Sequence, residues 1–290
     1  MSIVVTGASG QLARLVAESL LERVDASELI LVTRTPDALG ELAERGASVR
    51  HGDFAEPASL QAAFAGGERM LLISAAIIGQ RVPQHYAAID AAVAAGVRFA
   101  AYTSIVNPAD TNPGAAAADH RATEEYLRVS GLEWTLLRNS IYAEMQAAPA
   151  AGALATGQLM TNHGDGRTAY VSRADCAAAA AAVLTGEGHE GKAYDITGPQ
   201  SLSAHDLAAL YAEIGGKPVE VVSVDDETWV TAMVEHVGLP DQLARLLSTF
   251  GTAARQWYAA PVSDAVEQLT GRPPRTTREV LEAEIPALAG

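Results

Sequence analysis

The feature that most limits what this chain can become is its opening. A short β-branched run, Ile3-Val4-Val5, leads straight into Gly7-Ala8-Ser9-Gly10-Gln11-Leu12-Ala13 and an apolar helical stretch ending near Leu21. Gly7 permits a tight strand-to-helix turn, and Gly10 lets the backbone approach a bound group without a Cβ clash. Ala13 is small enough for the helix to lie close against the strand. The first turn of such a helix offers unpaired N–H groups and a partial positive charge, which suit a diphosphate. Gly-x-x-Gly-x-x-Ala is weak as a bare pattern, and an ordinary glycine-rich turn would also satisfy it. Its place between a strand and a helix gives it weight.

The next 120 residues repeat the same alternation. Leu29-Ile30-Leu31-Val32, Ala47-Ser48-Val49, Met70-Leu71-Leu72-Ile73, Val97 to Tyr102 and Trp134 to Leu137 read as strands. Helices are expected from Pro83 to Ala95 and from Ala115 to Val129. Continuous apolar strands separated by helices imply a parallel sheet covered on both faces, that is, a doubly wound α/β fold. Such sheets bind ligands beyond the carboxyl ends of their strands, so the residues just after each strand are the ones to inspect. From Ala143 to Gly166 the pattern breaks down, and Pro149, Gly152, Gly157, Gly164 and Gly166 suggest loops. Asp175 to Leu184 reads as a helix and Ala193 to Ile196 as a strand that rejoin the main layer. After Ser203 come a helix, the strand Val219 to Val224 and more helix. The expected division is a dinucleotide-binding layer over 1–142, rejoined by 167–200, with a small discontinuous α/β substrate lobe from 143–166 and 201–290.

The formal net charge of −15 disfavours phosphate backbones and anionic lipid surfaces. Neither nucleic acid nor membrane is therefore an expected partner. The lone Cys176 allows no intrachain disulfide, and no basic stretch precedes the first apolar run, which fits a cytoplasmic protein. No histidine or cysteine spacing reads as a metal site.

An NAD site usually places a carboxylate after the second strand, for the ribose 2′-hydroxyl. Here that strand ends Val32-Thr33-Arg34-Thr35. A guanidinium can grip a 2′-phosphate, so Arg34 points to NADPH, although a solvated surface arginine would look the same. Asp53 and Phe54, after the third strand, fall where adenine contacts are expected. Ser74 and Ala75, after the fourth, would let the backbone pass close to a ribose, or form an ordinary small-residue turn.

These segments, with Thr6-Gly7-Ala8-Ser9-Gly10-Gln11-Leu12, Ala101-Tyr102-Thr103-Ser104, Leu136-Leu137-Arg138-Asn139, Gly164-Asp165-Gly166, Arg173-Ala174-Asp175, Gly191-Lys192-Ala193-Tyr194 and Val237-Gly238-Leu239-Pro240, resemble the NmrA-like group of atypical short-chain dehydrogenases over nearly the whole chain. The resemblance implies a Rossmann fold, a bound NADPH and the hydride chemistry of its quinone-reductase branch. Typical short-chain dehydrogenases carry Tyr-x-x-x-Lys on the helix after the fifth strand. Here Ala116 falls at the tyrosine position and His120 at the lysine position, so that proton donor is missing. A quinone tolerates the loss, because it is already electrophilic and its reduced anion is comparatively stable. Catalysis then rests mostly on proximity and orientation.

His120, Asn139 and Tyr142 are the candidate catalytic residues. His120 is placed to bond the nicotinamide ribose, or is simply a helix histidine. Asn139 and Tyr142 could touch the carboxamide or the acceptor ring, while lobe packing would also account for Tyr142. Tyr102, Thr103 and Ser104 should border the nicotinamide, and Gln80 and His85 the pocket mouth. His163 reads as solvated. The leading expectation is NADPH-dependent reduction of a small quinone-like acceptor. A dinucleotide-binding redox sensor without turnover and a triphenylmethane dye or imine reductase are the alternatives. The resemblance also implies a possible homodimer.

Overall fold

The strand–helix alternation builds an all-parallel, seven-stranded sheet. The computed structural model describes residues 1–288. In order, the first half comprises β1 (Ile3–Thr6), α1 (Gln11–Leu21), β2 (Leu29–Thr33), α2 (Gly40–Glu44), β3 (Ser48–His51), α3 (Leu60–Phe64), β4 (Arg69–Leu72), α4 (Arg81–Ala94), β5 (Phe99–Ile105), α5 (Ala115–Val129) and β6 (Glu133–Asn139). The second half comprises α6 (Ala147–Thr156), β7 (Gln158–Thr161), β8 (Arg167–Thr168), α7 (Arg173–Thr185), β9 (Lys192–Ile196), β10 (Leu202–Ser203), α8 (Ala204–Gly215), β11 (Glu220–Ser223), α9 (Asp226–Glu235), α10 (Asp241–Arg255), α11 (Ala265–Thr270) and α12 (Thr277–Leu288). The strand order is β3-β2-β1-β4-β5-β6-β9, so the winding direction reverses between β1 and β4. That is the switch point where doubly wound sheets open a crevice.

Strand side chains alternate between two cores. Ile3, Val5, Leu31, Leu71 and Ala101 face α1 and α7, where alanines such as Ala13, Ala17, Ala177 and Ala180 bring the two helices close. Val4, Ile30, Met70, Leu72, Ala100 and Tyr102 face the opposite layer with Phe64, Ile89 and Leu127. Burial on both faces is why these strands read as unbroken apolar runs.

Apart from α11, which packs on α7 and β9, the remaining later elements stand beyond the sheet's carboxyl edge. β7 pairs with β11 in parallel and β8 with β10 antiparallel. Around them Ala143, Ala150, Tyr170, Leu207, Tyr211 and Leu281 form a third core. The segment 143–166 is not the loop expected from its glycines and prolines. It contains α6, with Pro149 in the first turn, where a missing N–H is harmless. Gly157 closes that helix in a left-handed conformation, with φ 75°. Ala289 and Gly290, the end of the expected lobe segment, lie outside the described residues.

The helix α10 is seated by close approach. A Cβ on Gly166 would overlap the backbone of Ala254, and one on Gly251 would overlap the Asn162 side chain. Asn162 donates to Asp226 Oδ1 at 2.8 Å and to the Ser248 carbonyl at 2.9 Å, and Arg255 grips Asp226 in a bidentate pair. Gly166→Ala is therefore expected to destabilise the protein by about 1–3 kcal/mol through overpacking. Chemical denaturation measures this, and an unchanged midpoint would show that α10 can shift freely.

Candidate functional site

The turn after β1 ends in Gly7, whose φ is 61°. Gly10 precedes α1 and supplies no capping side chain, so no side chain competes for the first-turn N–H groups of that helix. A Cβ on Gly10 would lie 3.1 Å from the Gly7 carbonyl. Gly7, Gly10, Gln11, Leu12 and Ala13 form one side of a crevice of about 410 Å³, and Ile73, Ser74, Ala75, Ala76, Arg81, Tyr142 and Arg173 the other. It lies between the ends of β1 and β4. Ala8, at the base of the turn, is fully buried, and its N–H donates to the Val32 carbonyl.

At the end of β2, Ser9 Oγ lies 2.8 Å from Thr33 Oγ1, and Thr35 Oγ1 donates to Ser9 Oγ at 3.4 Å. Arg34 extends into solvent beside this hydroxyl cluster. Asp53 closes its own turn, its Oδ1 accepting from the Ala55 N–H at 2.9 Å. Phe54 sets its ring edge against His85.

A cavity of about 590 Å³ adjoins the crevice and shares Ser74, Ala76, Arg81 and Tyr142 with it. Its polar end carries Thr103, Ser104, His120, Asn139 and Ser140. Ala116, at the position of the missing tyrosine, also lines it. The far wall is apolar. Leu243, Leu246, Leu247 and Phe250 lie along one face of α10, joined by Trp229, Leu207 and Leu159. Asn139 Nδ2 donates to Tyr142 Oη at 3.5 Å, while Asn139 Oδ1 and Ser140 Oγ are buried without a partner. Buried polar atoms rarely stay unpaired, so each of these two has a hydrogen bond to offer a ligand or a water. Arg173 sits over the Tyr142 ring, 4.8 Å from its centroid. Burial pushes the Tyr142 hydroxyl's pKa well up. His163, expected in solvent, is half-buried and lines the cavity.

Two further expectations need correction. Tyr102 does not border the cavity. Strand alternation turns it into the α4–α5 core, where it is fully buried. Its hydroxyl lies 2.7 Å from His120 Nδ1, so it supports the histidine from behind. His85 is not at a pocket mouth either. It is fully buried, and its Nε2 accepts from the Ala75 N–H at 2.9 Å while Nδ1 faces Thr123 Oγ1 at 2.9 Å. Thr123 Oγ1 itself donates to the Asp119 carbonyl. That leaves His85 Nδ1 as the donor and fixes its neutral tautomer.

The sequence reading missed Arg81. Its Nε donates to the Ala75 carbonyl at 2.6 Å and its Nη1 to His120 Nε2 at 3.1 Å. With Nε2 accepting, His120 Nδ1 donates to Tyr102. Burial, and then the Arg81 charge, lower the pKa of both histidines, that of His85 to about 4 and that of His120 well below the ordinary value. Both are thus neutral in the fold at pH 7.

Between about pH 6.5 and pH 4 the unfolded chain carries a proton at His85 and the folded chain does not. The stability linked to His85 is therefore complete above pH 6.5 and is lost as pH falls toward 4. The loss attributable to His85 is about 3 kcal/mol. Denaturation midpoints of the wild type and His85→Gln, measured between pH 8 and pH 4, are expected to converge as the pH drops. Parallel curves would show that His85 is not the titrating group.

Glu124 anchors this array from below. Its carboxylate accepts from Arg138 at 2.9 and 2.7 Å, from Arg128 at 3.0 Å and from Ser104 Oγ at 2.7 Å. It thereby ties α5, which carries His120, to β5 and β6. Among the described residues no group of three or more His, Cys, Asp or Glu could hold a metal. No helix among them is long and apolar enough to cross a membrane.

A family model described as NAD(P)H-binding matches residues 7–187. The chain is 41% identical to quinone oxidoreductase 2 of Escherichia coli over 277 residues, 96% of each chain. It superposes on the crystal structure of the Escherichia coli NADPH-dependent quinone oxidoreductase complexed with NADPH with a TM-score of 0.92 and 40% identity, covering 99% of this chain and all of that one. The triphenylmethane reductase of Citrobacter sp., complexed with NADP(H), gives a TM-score of 0.92 at 34% identity over 98% of this chain and all of that one.

Proposed function

The chain belongs to the NAD(P)H-binding family, and we propose that it is an NADPH-dependent oxidoreductase that reduces a quinone-like conjugated acceptor. The observation that carries this reading is the crevice at the β1–β4 switch point opening directly into a mostly apolar cavity with no tyrosine acid at Ala116. The likeness to the quinone oxidoreductase and the triphenylmethane reductase supports it.

The residues present fit the dinucleotide. Gly7, Gly10 and the first turn of α1 form a cradle that a side chain would fill, and Gln11 and Leu12 complete it, whereas Ala8, expected among these contacts, is buried beneath the turn with its N–H bonded to Val32. Ser9 and Arg34, with Thr33 and Thr35, are offered to the 2′-phosphate, and Asp53 and Phe54 to the adenine end. Ser74 and Ala75 flank the ribose, and Thr103, Ser104 and His120 the nicotinamide side. When bound, NADPH supplies a hydride with its electron pair. The protein positions and desolvates. Asn139 and Tyr142 orient groups at the junction of crevice and cavity, neutral His120 holds its hydrogen bonds without donating charge, and the α10 leucines exclude water from the acceptor. Water, rather than a side-chain acid, provides the proton.

In this reading residues 1–142 and 167–200 hold the cofactor, and 143–166 with 201–288 shape the acceptor pocket. We also read the protein as cytoplasmic, on its acidity and its lone buried Cys176, and as a homodimer, which light scattering would check. The deciding experiment follows NADPH oxidation with a panel of quinones, azo dyes and triphenylmethane dyes. Turnover with quinones is expected. Tight NADPH binding with no turnover on any acceptor would replace the enzyme with a dinucleotide sensor.

A further inference from the structure

Arg81 stands out because no ion pair holds it among the described residues. It lines both the crevice and the cavity, at the point where they meet. Among the described residues it forms no ion pair, since no carboxylate oxygen comes within 4.0 Å. The nearby Asp119 is engaged elsewhere, its Oδ2 accepting from the Gly79 N–H at 2.7 Å. Two of the three guanidinium nitrogens are committed, Nε to the Ala75 carbonyl and Nη1 to His120. Among the described residues Nη2 has no partner.

The committed bonds hold the guanidinium rigidly. Ala75 is fixed in turn by His85, and His120 by Tyr102. A half-buried cation without a counter-ion is unfavourable unless a ligand's negative charge completes it. The rest of the cavity's polar end supplies neutral groups, and its far wall is apolar.

We propose that Arg81 is the catalytic residue that takes the oxygen on which negative charge develops as the acceptor is reduced, doing electrostatically what the missing tyrosine acid does by proton transfer. The inference rests on the cavity being the acceptor site. The quinone accepts one hydride, with its electron pair, from the reduced nicotinamide, which is oxidised to NADP⁺. The hydroquinone monoanion so formed keeps its charge beside Arg81 and takes one proton from water. Arg81 is a pre-set donor of the oxyanion-hole kind, strongest when the charge is greatest. It therefore acts on the transition state more than on the bound neutral quinone.

The test uses Arg81→Met and Arg81→Lys in the full-length protein, with two measurements. With saturating NADPH and neutral 1,4-naphthoquinone, Arg81→Met is expected to lose about 100-fold in kcat while KM moves less than about threefold, and Arg81→Lys to recover roughly tenfold. With the NADP⁺-loaded protein, which cannot turn over, calorimetry with the enolate of 2-hydroxy-1,4-naphthoquinone is expected to show binding weakened about 30-fold by Arg81→Met and restored in part by Arg81→Lys.

Equal binding of the enolate to wild type and Arg81→Met would overturn the proposal. So would a loss confined to NADPH affinity, which would assign the guanidinium to the cofactor's diphosphate. If the wild type bound NADPH but reduced no quinone, the acceptor reading itself would fall, an outcome distinct from both.

Discussion

Replacing Arg34 with alanine is expected to raise the Kd for NADPH about 10- to 100-fold and to leave that for NADH within about threefold. The physical basis is a charge-assisted contact to the phosphate that only NADPH carries. Arg34 follows β2, where NAD sites usually place a carboxylate, and it has Ser9, Thr33 and Thr35 hydroxyls beside it. Because the side chain is exposed, its removal should not disturb the fold. Fluorescence titration with each cofactor measures both constants. If the preference for NADPH survived intact, the hydroxyl cluster alone would be reading the phosphate.

Glu124→Ala is expected to lower stability by about 3–5 kcal/mol, which in a chain of this size lowers Tm by roughly 10 °C. The side chain is only 2% exposed and serves two arginines and a serine. Removing it leaves Arg138, itself three-quarters buried, with an uncompensated charge. Replacing both partners, as in Glu124→Leu with Arg138→Met, should recover much of the loss, because the pair's desolvation penalty disappears with it. Calorimetric melting of the two single variants and the double variant gives the coupling. Additive losses would mean that the pair is not energetically linked. Because Glu124 also holds Ser104, the variant should blunt turnover beyond its effect on folding.

Much of this was legible in the chain's order of residues. The Gly7–Gly10 turn, the β-branched runs and the absence of a carboxylate after Val32 are local signals, and local geometry preserves them. Tyr102 was misplaced because its address depends on which side of β5 it faces, and both faces of that strand are apolar. The helix α6 was hidden by Pro149 and Gly152. The first is harmless in an opening turn, and the second is tolerated among alanines packed on Tyr211 and Leu207. Arg81 carried no signal at all. Its importance comes from meeting His120, 39 positions away, and from the lack, among the described residues, of any acid close enough to pair with it. Proximity of that kind is set by the stacking of α4 beside α5, which no pattern in either helix announces.

The leucine- and phenylalanine-bearing face of α10 begins after residue 240, whereas every residue lining the crevice precedes residue 175. Substitutions in that late stretch can therefore reshape what the cavity admits while the hydride source stays in register. If the cavity takes the acceptor as proposed, acceptor preference would change through α10 alone, with the cofactor cradle untouched.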